Sequence, residues 1–398
     1  MSKHALARWA IIADDLTGAA DAAAAYGPTH SSSVVLTLDG EWPDSEILAI
    51  NTESRYLPDD QATAVVGNAV ERAVGLGRRV FKKFDSLLRG NVGVELAAAA
   101  AGVADGGMAI VAPAFPATGR TTVNGIVHVN AAPNTEGMFG GDVCRALAAG
   151  GLRAESILRS PSRRPEDLAK LLREMHARGI QAAVVDAESD ADLRTIVDAA
   201  GLMDVPTLLA GSGGLAGHIE QRKEASSREL ATGPGVGRTL MVIGSYSTLA
   251  RLQIQELVAA GVSHVTLDHG NMSGAAVHRE LLAALDRGDV VLTPDPSGTL
   301  DKSQANAVAR ALALATAAGI GKCGSLFLTG GETATAVLAE IGVTSFTVLG
   351  EIEPGVVASR LGDALPLMVT KAGAFGDAGT LLRAAQLLTR TTTEMSSK

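Results

Sequence analysis

The stretch WAIIADDLTGAAD, residues 9–21, joins a short apolar run to two adjacent carboxylates and an alanine-rich segment. Five apolar residues are the length of a buried strand, and the alanines that follow favour a helix. Asp14 and Asp15 therefore stand at a strand-to-helix turn, where open parallel sheets bind their ligands. Asp15 alone is enough to cap the helix, which leaves the other acid for hydroxyl groups or a cation.

The same alternation of short apolar runs and longer Ala- and Leu-rich stretches continues through all 398 residues. It predicts an α/β fold of two Rossmann-like domains, with mostly parallel sheets and an inter-domain cleft. The polar and then Gly/Pro-rich segment 221–238 has no apolar periodicity and predicts a linker at 226–237, with a hinge near 233–237. The domains are then 1–225 and 238–398. Strands are predicted at 9–13, 33–38, 47–51, 79–84, 108–112, 182–186, 207–210, 239–243, 264–267, 290–293, 325–328, 345–349 and 367–370, with a closing helix at 381–388.

Composition excludes several classes of protein. A formal net charge of -9 argues against a surface that holds a nucleic-acid backbone, which needs clustered cations. Cys144 and Cys323 lie far apart and suggest neither a zinc site nor a disulfide framework. The apolar run near the N-terminus is broken by Asp14, and no apolar stretch of about twenty residues could span a bilayer. We expect a cytoplasmic protein without nucleic-acid or membrane partners, and a homodimer is the expected assembly.

A second polar cluster, FKKFDSLLRGN at 81–91, also follows a predicted strand. Alternation along the strand sends Lys83 and Asp85 to one face, where Arg89 can join them. These three side chains suit a ligand that carries both hydroxyl groups and negative charge. An internal ion pair between Asp85 and Arg89 is the structural alternative.

A third segment, APAFPATGRTTVNG at 112–125, is so rich in Pro and Gly that it is expected to be an irregular loop. Arg120 offers a planar fork suited to a carboxylate, and Asn124 offers both a donor and an acceptor.

Neither a P-loop GxxxxGK[ST] nor a Rossmann GxGxxG occurs in the chain. The glycines at 211–217 follow a strand with the wrong spacing, and a tight packing turn explains them better. Three further turns at 243–248, 328–333 and 370–377 each place glycine between a predicted strand and a helix. Such turns expose backbone N–H groups to phosphate, so Ser245, Thr333 and backbone amides of the three turns are candidates to hold a polyphosphate. Ordinary connectors of an α/β fold are the alternative.

Taken together, ADDLTGAAD, KKFDSLLRGN, APAFPATGRTTVNG, TGGETA, LGEIEPGV and TKAGAFGD resemble the four-carbon acid sugar kinases from about residue 11 to 380. The resemblance implies an N-terminal domain that binds a sugar acid such as threonate, erythronate or 3-oxo-tetronate, and a C-terminal domain that binds ATP. ATP and Mg²⁺ are the implied cofactors, and closure of the domains around both ligands is expected. The implied ATP contacts are Ser245, Gly330, Gly331, Glu332, Thr333 and Gly373.

On the substrate side, we predict that Asp14, Asp15, Thr17, Ser86, Arg120 and Asn124 contact the sugar acid, with Asp14 and Asp15 also candidates for Mg²⁺. Lys83, Asp85 and Arg89 are predicted as catalytic residues, with Asp85 as general base. The family usually has Thr where Leu87 stands and Ser where Ala372 stands, and the stretch 130–143 is unusual for it. Two alternatives remain. The first is a non-catalytic sensor of the same ligands, and the second, which the sequence supports less well, is a nucleotide-cofactor dehydrogenase.

Overall fold

The computed structural model describes residues 8–27, 29–103, 106–220, 237–245, 247–267, 275–295, 305–373 and 375–395. The chain divides into two compact units, one of Met1–Val34 with Pro43–Glu224 and one of Val35–Trp42 with Ala225–Lys398. The predicted linker and hinge lie outside the described residues, apart from Gly237. In the second unit, the Leu36 amide donates to the Thr344 carbonyl at 2.9 Å.

The first unit is built on parallel strands. Its strands are β1 (Trp9–Ala13), β2 (Ser32–Val35), β3 (Ile47–Asn51), β4 (Arg79–Lys83), β5 (Met108–Ala112), β6 (Arg120–Val123), β7 (Ile126–Val129), β8 (Ala132–Pro133), β9 (Ala154–Ile157), β10 (Ala182–Val185) and β11 (Thr207–Gly211). Its helices are α1 (Leu16–Ala24), α2 (Asp59–Gly75), α3 (Val92–Val103), α4 (Val143–Ala149), α5 (Pro165–Ala177), α6 (Asp190–Gly201) and α7 (Gly213–Ala216).

Eight strands of this unit lie in the order β2-β3-β1-β4-β11-β5-β10-β9, and β6-β7-β8 form a separate antiparallel sheet. Every residue of β1 and of α1 is buried, as a strand and helix packed inside an α/β core should be. Ala13 is in register with Asn51 of β3 and with Lys83 of β4. The segments that follow these three strands therefore begin at one edge of the sheet.

The second unit repeats the pattern. Its strands are β12 (Arg238–Ile243), β13 (Ser263–Leu267), β14 (Val290–Pro294), β15 (Cys323–Thr329), β16 (Ser345–Glu353), β17 (Val356–Arg360) and β18 (Leu367–Lys371). Its helices are α8 (Thr248–Ala259), α9 (Ala275–Arg287), α10 (Ala305–Gly319), α11 (Gly331–Glu340) and α12 (Thr380–Met395).

In this unit the strand order is β13-β14-β12-β15-β18-β17-β16, parallel from β13 to β18 and antiparallel at β17 and β16. One core cluster joins α8 and α12 to these strands through Leu257, Phe327, Val369 and Leu381. The predicted α/β fold with mostly parallel sheets is confirmed. No helix in the described ranges has the length and apolar character needed to cross a membrane.

The expectation of an irregular loop across 112–125 is wrong at its end. Arg120–Val123 form β6, and Asn124-Gly125 make the two-residue turn into β7 with positive φ values of 55° and 74°. Asn-Gly is the preferred pair for such a hairpin turn, because both residues tolerate left-handed backbone. The signal was present in the sequence but was outweighed by the prolines before it.

Two helical glycines give a matched test of packing. A methyl group at Gly93 of α3 would lie 2.3 Å from the carbonyl oxygen of Ala146 and 2.7 Å from the amide of Gly150, whereas a methyl at Gly67 of α2 meets nothing within 4 Å. We expect Gly93→Ala to destabilise the protein by about 1–3 kcal/mol through overpacking. Gly67→Ala should stabilise it by about 0.5–1 kcal/mol. Urea midpoints of both variants test this, and equal shifts of the same sign would contradict it.

Candidate functional site

A buried arginine organises the edge of the first unit. Arg55, in a 3₁₀ turn after β3, donates from Nε to Asp14 at 2.7 Å and from Nη1 to Asp15 at 2.9 Å. Its Nη2 lies 3.9 Å from Asp85. Asp15 also caps α1 by accepting from the Gly18 amide at 2.9 Å. One guanidinium therefore ties together the segments that follow β1, β3 and β4.

Asp85 is held from a second side by Arg89. Arg89 Nη2 donates to Oδ1 at 2.7 Å and Nε donates to Oδ2 at 2.9 Å, a bidentate pair. Oδ2 also accepts from the amides of Leu87 at 3.0 Å and Arg89 at 3.2 Å. The ion pair named above as the structural alternative is thus present.

The cations keep these acids ionised. Burial raises the pKa of Asp14, but Arg55, Lys82 and Lys83 together outweigh burial and hold the pKa below its usual value. Burial likewise opposes ionisation of Asp85, yet the hydrogen bonds from Arg89 and the charge of Arg55 hold the pKa of Asp85 far below its usual range. Both groups are therefore carboxylates at neutral pH.

Behind this cluster lies a fully buried ion pair. Lys82 Nζ is 2.7 Å from Glu95 Oε2, and both side chains are shielded from solvent. The Lys82 ammonium also donates to the carbonyls of Lys83 at 2.8 Å and Ile12 at 3.3 Å. Burial raises the pKa of Glu95, against the charge of Lys82. The Lys82–Glu95 pair stabilises the end of strand β4 on the face opposite to Lys83.

Two buried groups in the cluster have hydrogen-bonding capacity that the described residues do not use. Lys83 is 5% exposed, and within the described residues its ammonium makes one hydrogen bond, to the Phe84 carbonyl at 3.1 Å, and no ion pair within 4 Å. Asp14 is 2% exposed, and its Oδ1 has no hydrogen-bond partner there. Among the described residues, a buried ammonium that makes one hydrogen bond and a buried carboxylate oxygen that makes none thus belong to the same cluster.

The structure places the other predicted substrate residues unevenly. Thr17 donates to Asp15 at 2.7 Å, and Arg120 donates to the Ser86 hydroxyl beside Asp85, so these three join the cluster. Asn124 is an exposed turn residue whose backbone amide donates to Asp186 at 2.7 Å. Its contacts therefore belong to the hairpin.

The Asp14–Asp15 pair does not fit a magnesium ion. Arg55 already supplies the positive charge between the two carboxylates, and Asp15 spends its oxygens on Gly18, Thr17 and Arg55. In the described part of the chain, no group of three or more His, Cys, Asp or Glu side chains is arranged to hold a metal ion. The open oxygen of Asp14 suits a hydroxyl donor better.

In the second unit the three glycine turns follow the neighbouring strands β12, β15 and β18. A methyl group at Gly244 would lie 1.9 Å from Thr333 Oγ1, and one at Gly373 would lie 3.2 Å from Ser245 Oγ. Gly330 has a φ of 98° and donates its amide to the Lys371 carbonyl at 3.1 Å. Among the described residues no side chain caps α11, whose first turn holds Gly331, Glu332 and Thr333. This end presents amides as an anion-binding site does.

Lys371 supports the third of these turns from within. Its side chain is 1% exposed and donates to the carbonyls of Ala372 and Phe375, both at 2.9 Å. Burial lowers the pKa of Lys371 to about 8. The ammonium fixes the backbone around Gly373 by holding carbonyls on its inner side.

Sequence reasoning missed Arg55, Lys371 and Asn134. Asn134 donates to the Leu87 carbonyl at 3.3 Å, and so supports the loop that carries Asp85. The signal for Arg55 and Lys371 was position: Arg55 comes four residues after β3, and Lys371 is the last residue of β18. A polar residue at the end of β18 or just after β3 is as strong an indication of a site as Asp14 is after β1.

Comparison with known families matches both units. Residues 9–219 match a family described as a sugar-binding N-terminal domain, and residues 240–381 match one described as a nucleotide-binding C-terminal domain. The chain belongs to the four-carbon acid sugar kinase family. The predicted resemblance is confirmed.

Relatives within this kinase family align over almost the whole chain. D-threonate kinase of Cupriavidus necator is 34% identical, with 96% of this chain and 98% of the relative covered. The 3-oxo-tetronate kinase of the same organism is 31% identical, with coverages of 92% and 93%. A crystal structure from Haemophilus influenzae shares the fold with a TM-score of 0.71 at 21% identity, covering 95% of this chain and 100% of that one.

The charge cluster predicts a specific pH dependence of stability. Because the folded pKa of Asp85 is depressed, its stabilising contribution is present above the unfolded pKa of about 4 and is lost as pH falls further. We expect Asp85→Asn to lower the free energy of unfolding by about 3 kcal/mol at pH 7, because it breaks a buried pair. The difference from wild type should shrink below about pH 4.

Denaturant titrations at pH 7, 5 and 3 test this expectation, and the gap should narrow by about 1 kcal/mol at pH 3. Asp167→Asn is the control, since Asp167 pairs with Arg164 on the surface and should change stability little at any pH. A gap for Asp85→Asn that stays constant over this range would show that Asp85 is not ionised by its neighbours in the way described.

Proposed function

We propose that this protein transfers the γ-phosphoryl group of ATP to a hydroxyl of a four-carbon sugar acid of the threonate, erythronate or 3-oxo-tetronate type. The observation that carries the proposal is that Lys83 and Asp14 Oδ1, both buried in one cluster, keep hydrogen-bonding capacity that the described residues do not use. The Lys83 ammonium has three N–H donors and makes one hydrogen bond in the described residues, so an anionic ligand can accept from the others. A buried carboxylate oxygen in turn needs a donor. A sugar acid carries both a carboxylate and hydroxyl groups.

The remaining residues fit roles around such a ligand. Arg120 and Arg89 lie beside Asp85 and can share the carboxylate with Lys83. Asp85 is ionised and can accept the proton of the attacking hydroxyl. A carboxylate held ionised this strongly is a weak base, so its main contribution is to orient the hydroxyl for attack. Unchanged turnover in the Asp85→Asn variant would remove Asp85 from this role.

The nucleotide is assigned to the second unit. The uncapped start of α11 and the turns at Ser245 and Gly373 offer amides and a hydroxyl to its phosphates. Mg²⁺, which kinases in general place on the β- and γ-phosphates, would enter with ATP. Charge neutralisation and positioning, the two main needs of phosphoryl transfer, are then both supplied.

The unpaired cysteines and acidic composition agree with a cytoplasmic enzyme, and a homodimer is its proposed assembly.

A panel of sugar acids tests the proposed reaction. A coupled ADP-release assay on sugar acids of three to six carbons should show turnover on a four-carbon acid, and phosphorus NMR should show one phosphomonoester for each ADP formed. Ligand binding without turnover on any acid of the panel would favour the sensor alternative. Turnover confined to six-carbon acids would contradict the proposed substrate class.

A substitution of Lys83 tests whether its ammonium binds the sugar acid. Lys83→Met removes the buried charge while keeping the volume, so the ligand-free protein should be as stable as wild type or more so. Without its cation, kcat/KM for the sugar acid should fall about 100-fold or more, and the ligand-induced rise in Tm should be lost. Lys170→Met, at an exposed position of α5, is the control. A strongly destabilised Lys83→Met with unchanged KM would assign Lys83 a structural role.

A further inference from the structure

The function proposed above gives no role to the buried ion pair between Lys82 and Glu95. Lys82 is fully buried and Glu95 is 1% exposed, so neither side chain can contact a ligand directly. In a protein core, two apolar side chains of similar volume are often as stable as an ion pair or more so, because both charges of the pair lose their hydration. Stability alone therefore does not explain why charged residues occupy these two positions.

The ammonium of Lys82 joins three elements of the first unit. Nζ donates to the Ile12 carbonyl of β1 at 3.3 Å and to the Lys83 carbonyl of β4 at 2.8 Å. It also lies 2.7 Å from Oε2 of Glu95 on α3. Three oxygen atoms thus surround an ammonium that has three N–H donors.

Each of the two carbonyls lies close in sequence to an acid of the site. Asp14 follows Ile12 by two residues, and Asp85 follows Lys83 by two. Because one buried ammonium holds both carbonyls, it fixes the distance between the backbone segments that carry the two acids. Its charge also reaches the site, since Lys82 is one of the cations that lower the pKa of Asp14.

Helix α3, which carries Glu95, also holds the third segment of the site. Asn91, just before α3, donates from its side chain to the Ser54 carbonyl at 3.0 Å and to the Leu57 carbonyl at 2.6 Å. These two carbonyls lie on either side of Arg55 in the chain. The Ser54 side chain also lies beside Glu95. The buried ion pair therefore connects the turn that carries Arg55, through α3, to β1 and β4.

We infer that Lys82 and Glu95 are positioning residues for the sugar acid, which hold the segments after β1, β3 and β4 in the geometry that the ligand needs without contacting it. The inference rests on the function proposed above and adds to it two residues that lie behind the binding cluster. A misplacement of about 1 Å among groups that hold a substrate can cost about 100-fold in rate. Directed hydrogen bonds to backbone carbonyls fix such positions, whereas apolar side chains in their place would not.

Replacing the pair by apolar side chains separates its positioning role from stability. We expect the double variant Lys82→Met/Glu95→Leu to have a urea midpoint at or above that of wild type, since it removes two desolvated charges and keeps the volume. Its kcat/KM for the four-carbon acid that the panel above selects should nevertheless fall about tenfold or more, with the KM for ATP unchanged.

Glu95→Gln should have the opposite effects. It leaves the buried Lys82 charge without a counter-ion, so the urea midpoint should fall. It keeps an acceptor beside the ammonium, so kcat/KM should fall by no more than about threefold. The catalytic order of the two variants is then the reverse of their order in stability.

Leu172→Ala is the control for lost stability alone, because Leu172 is buried in α5, and its kcat/KM should equal that of wild type. If kcat/KM follows the urea midpoint across the three variants, or if the double variant keeps the wild-type kcat/KM, the positioning role is overturned. Failure of the kinase proposal is distinguishable, because the wild-type protein would then turn over no sugar acid.

Discussion

The first unit depends on the Arg55 guanidinium and the three carboxylates around it. Desolvating one cation and three anions is unfavourable unless each charge is met by a close partner, and the distances of 2.7, 2.9 and 3.9 Å meet that condition. The loop after β4 also closes on this arginine, since Gly90 has a φ of 86° and a methyl there would lie 2.7 Å from Arg55 Cγ. Three strand-end segments are thereby held in one geometry before any ligand arrives, which is the preorganisation that charge stabilisation requires.

Much of this could be predicted from the sequence because strand ends are visible in it. The apolar runs at 9–13, 47–51 and 108–112 match the strands of the structure residue for residue, so the acids at 14 and 15 were placed correctly at a turn. Arg55 was not found, because the segment after β3 has no glycine to mark a ligand-binding turn. Pairing partners far apart in sequence, such as Asp14 with Arg55, have no local signal at all. The hairpin from Arg120 had one, in Asn124-Gly125, and proline content concealed it.

The proposed anion site of the second unit is built by different means. Its glycine turns are brought together by the parallel order of β12, β15 and β18, and the missing side chains at Gly244 and Gly373 leave room for Thr333 and Ser245. Sequence could show three such turns but not that they follow neighbouring strands, since strand order is a property of the whole sheet. Lys371 then adds a buried cation close to the turns without using an acid as partner. Both units thus place a lysine at the end of a central strand, and the environment decides what each does.

Leu87 shows why a departure from a family pattern need not remove a contact. The usual threonine at this position suggests a lost hydroxyl, yet what Leu87 contributes is backbone: its amide donates to Asp85 and its carbonyl accepts from Asn134. Any residue other than proline supplies both groups. Asn134 belongs to the unusual stretch 130–143. Its side-chain oxygen Oδ1 accepts from the Glu136 amide at 3.1 Å, and this hydrogen bond orients the side chain that supports Leu87. The two departures therefore meet in one hydrogen-bonded loop behind Asp85, where a change of the Asn134 side chain, but not of the Leu87 side chain, removes a hydrogen bond.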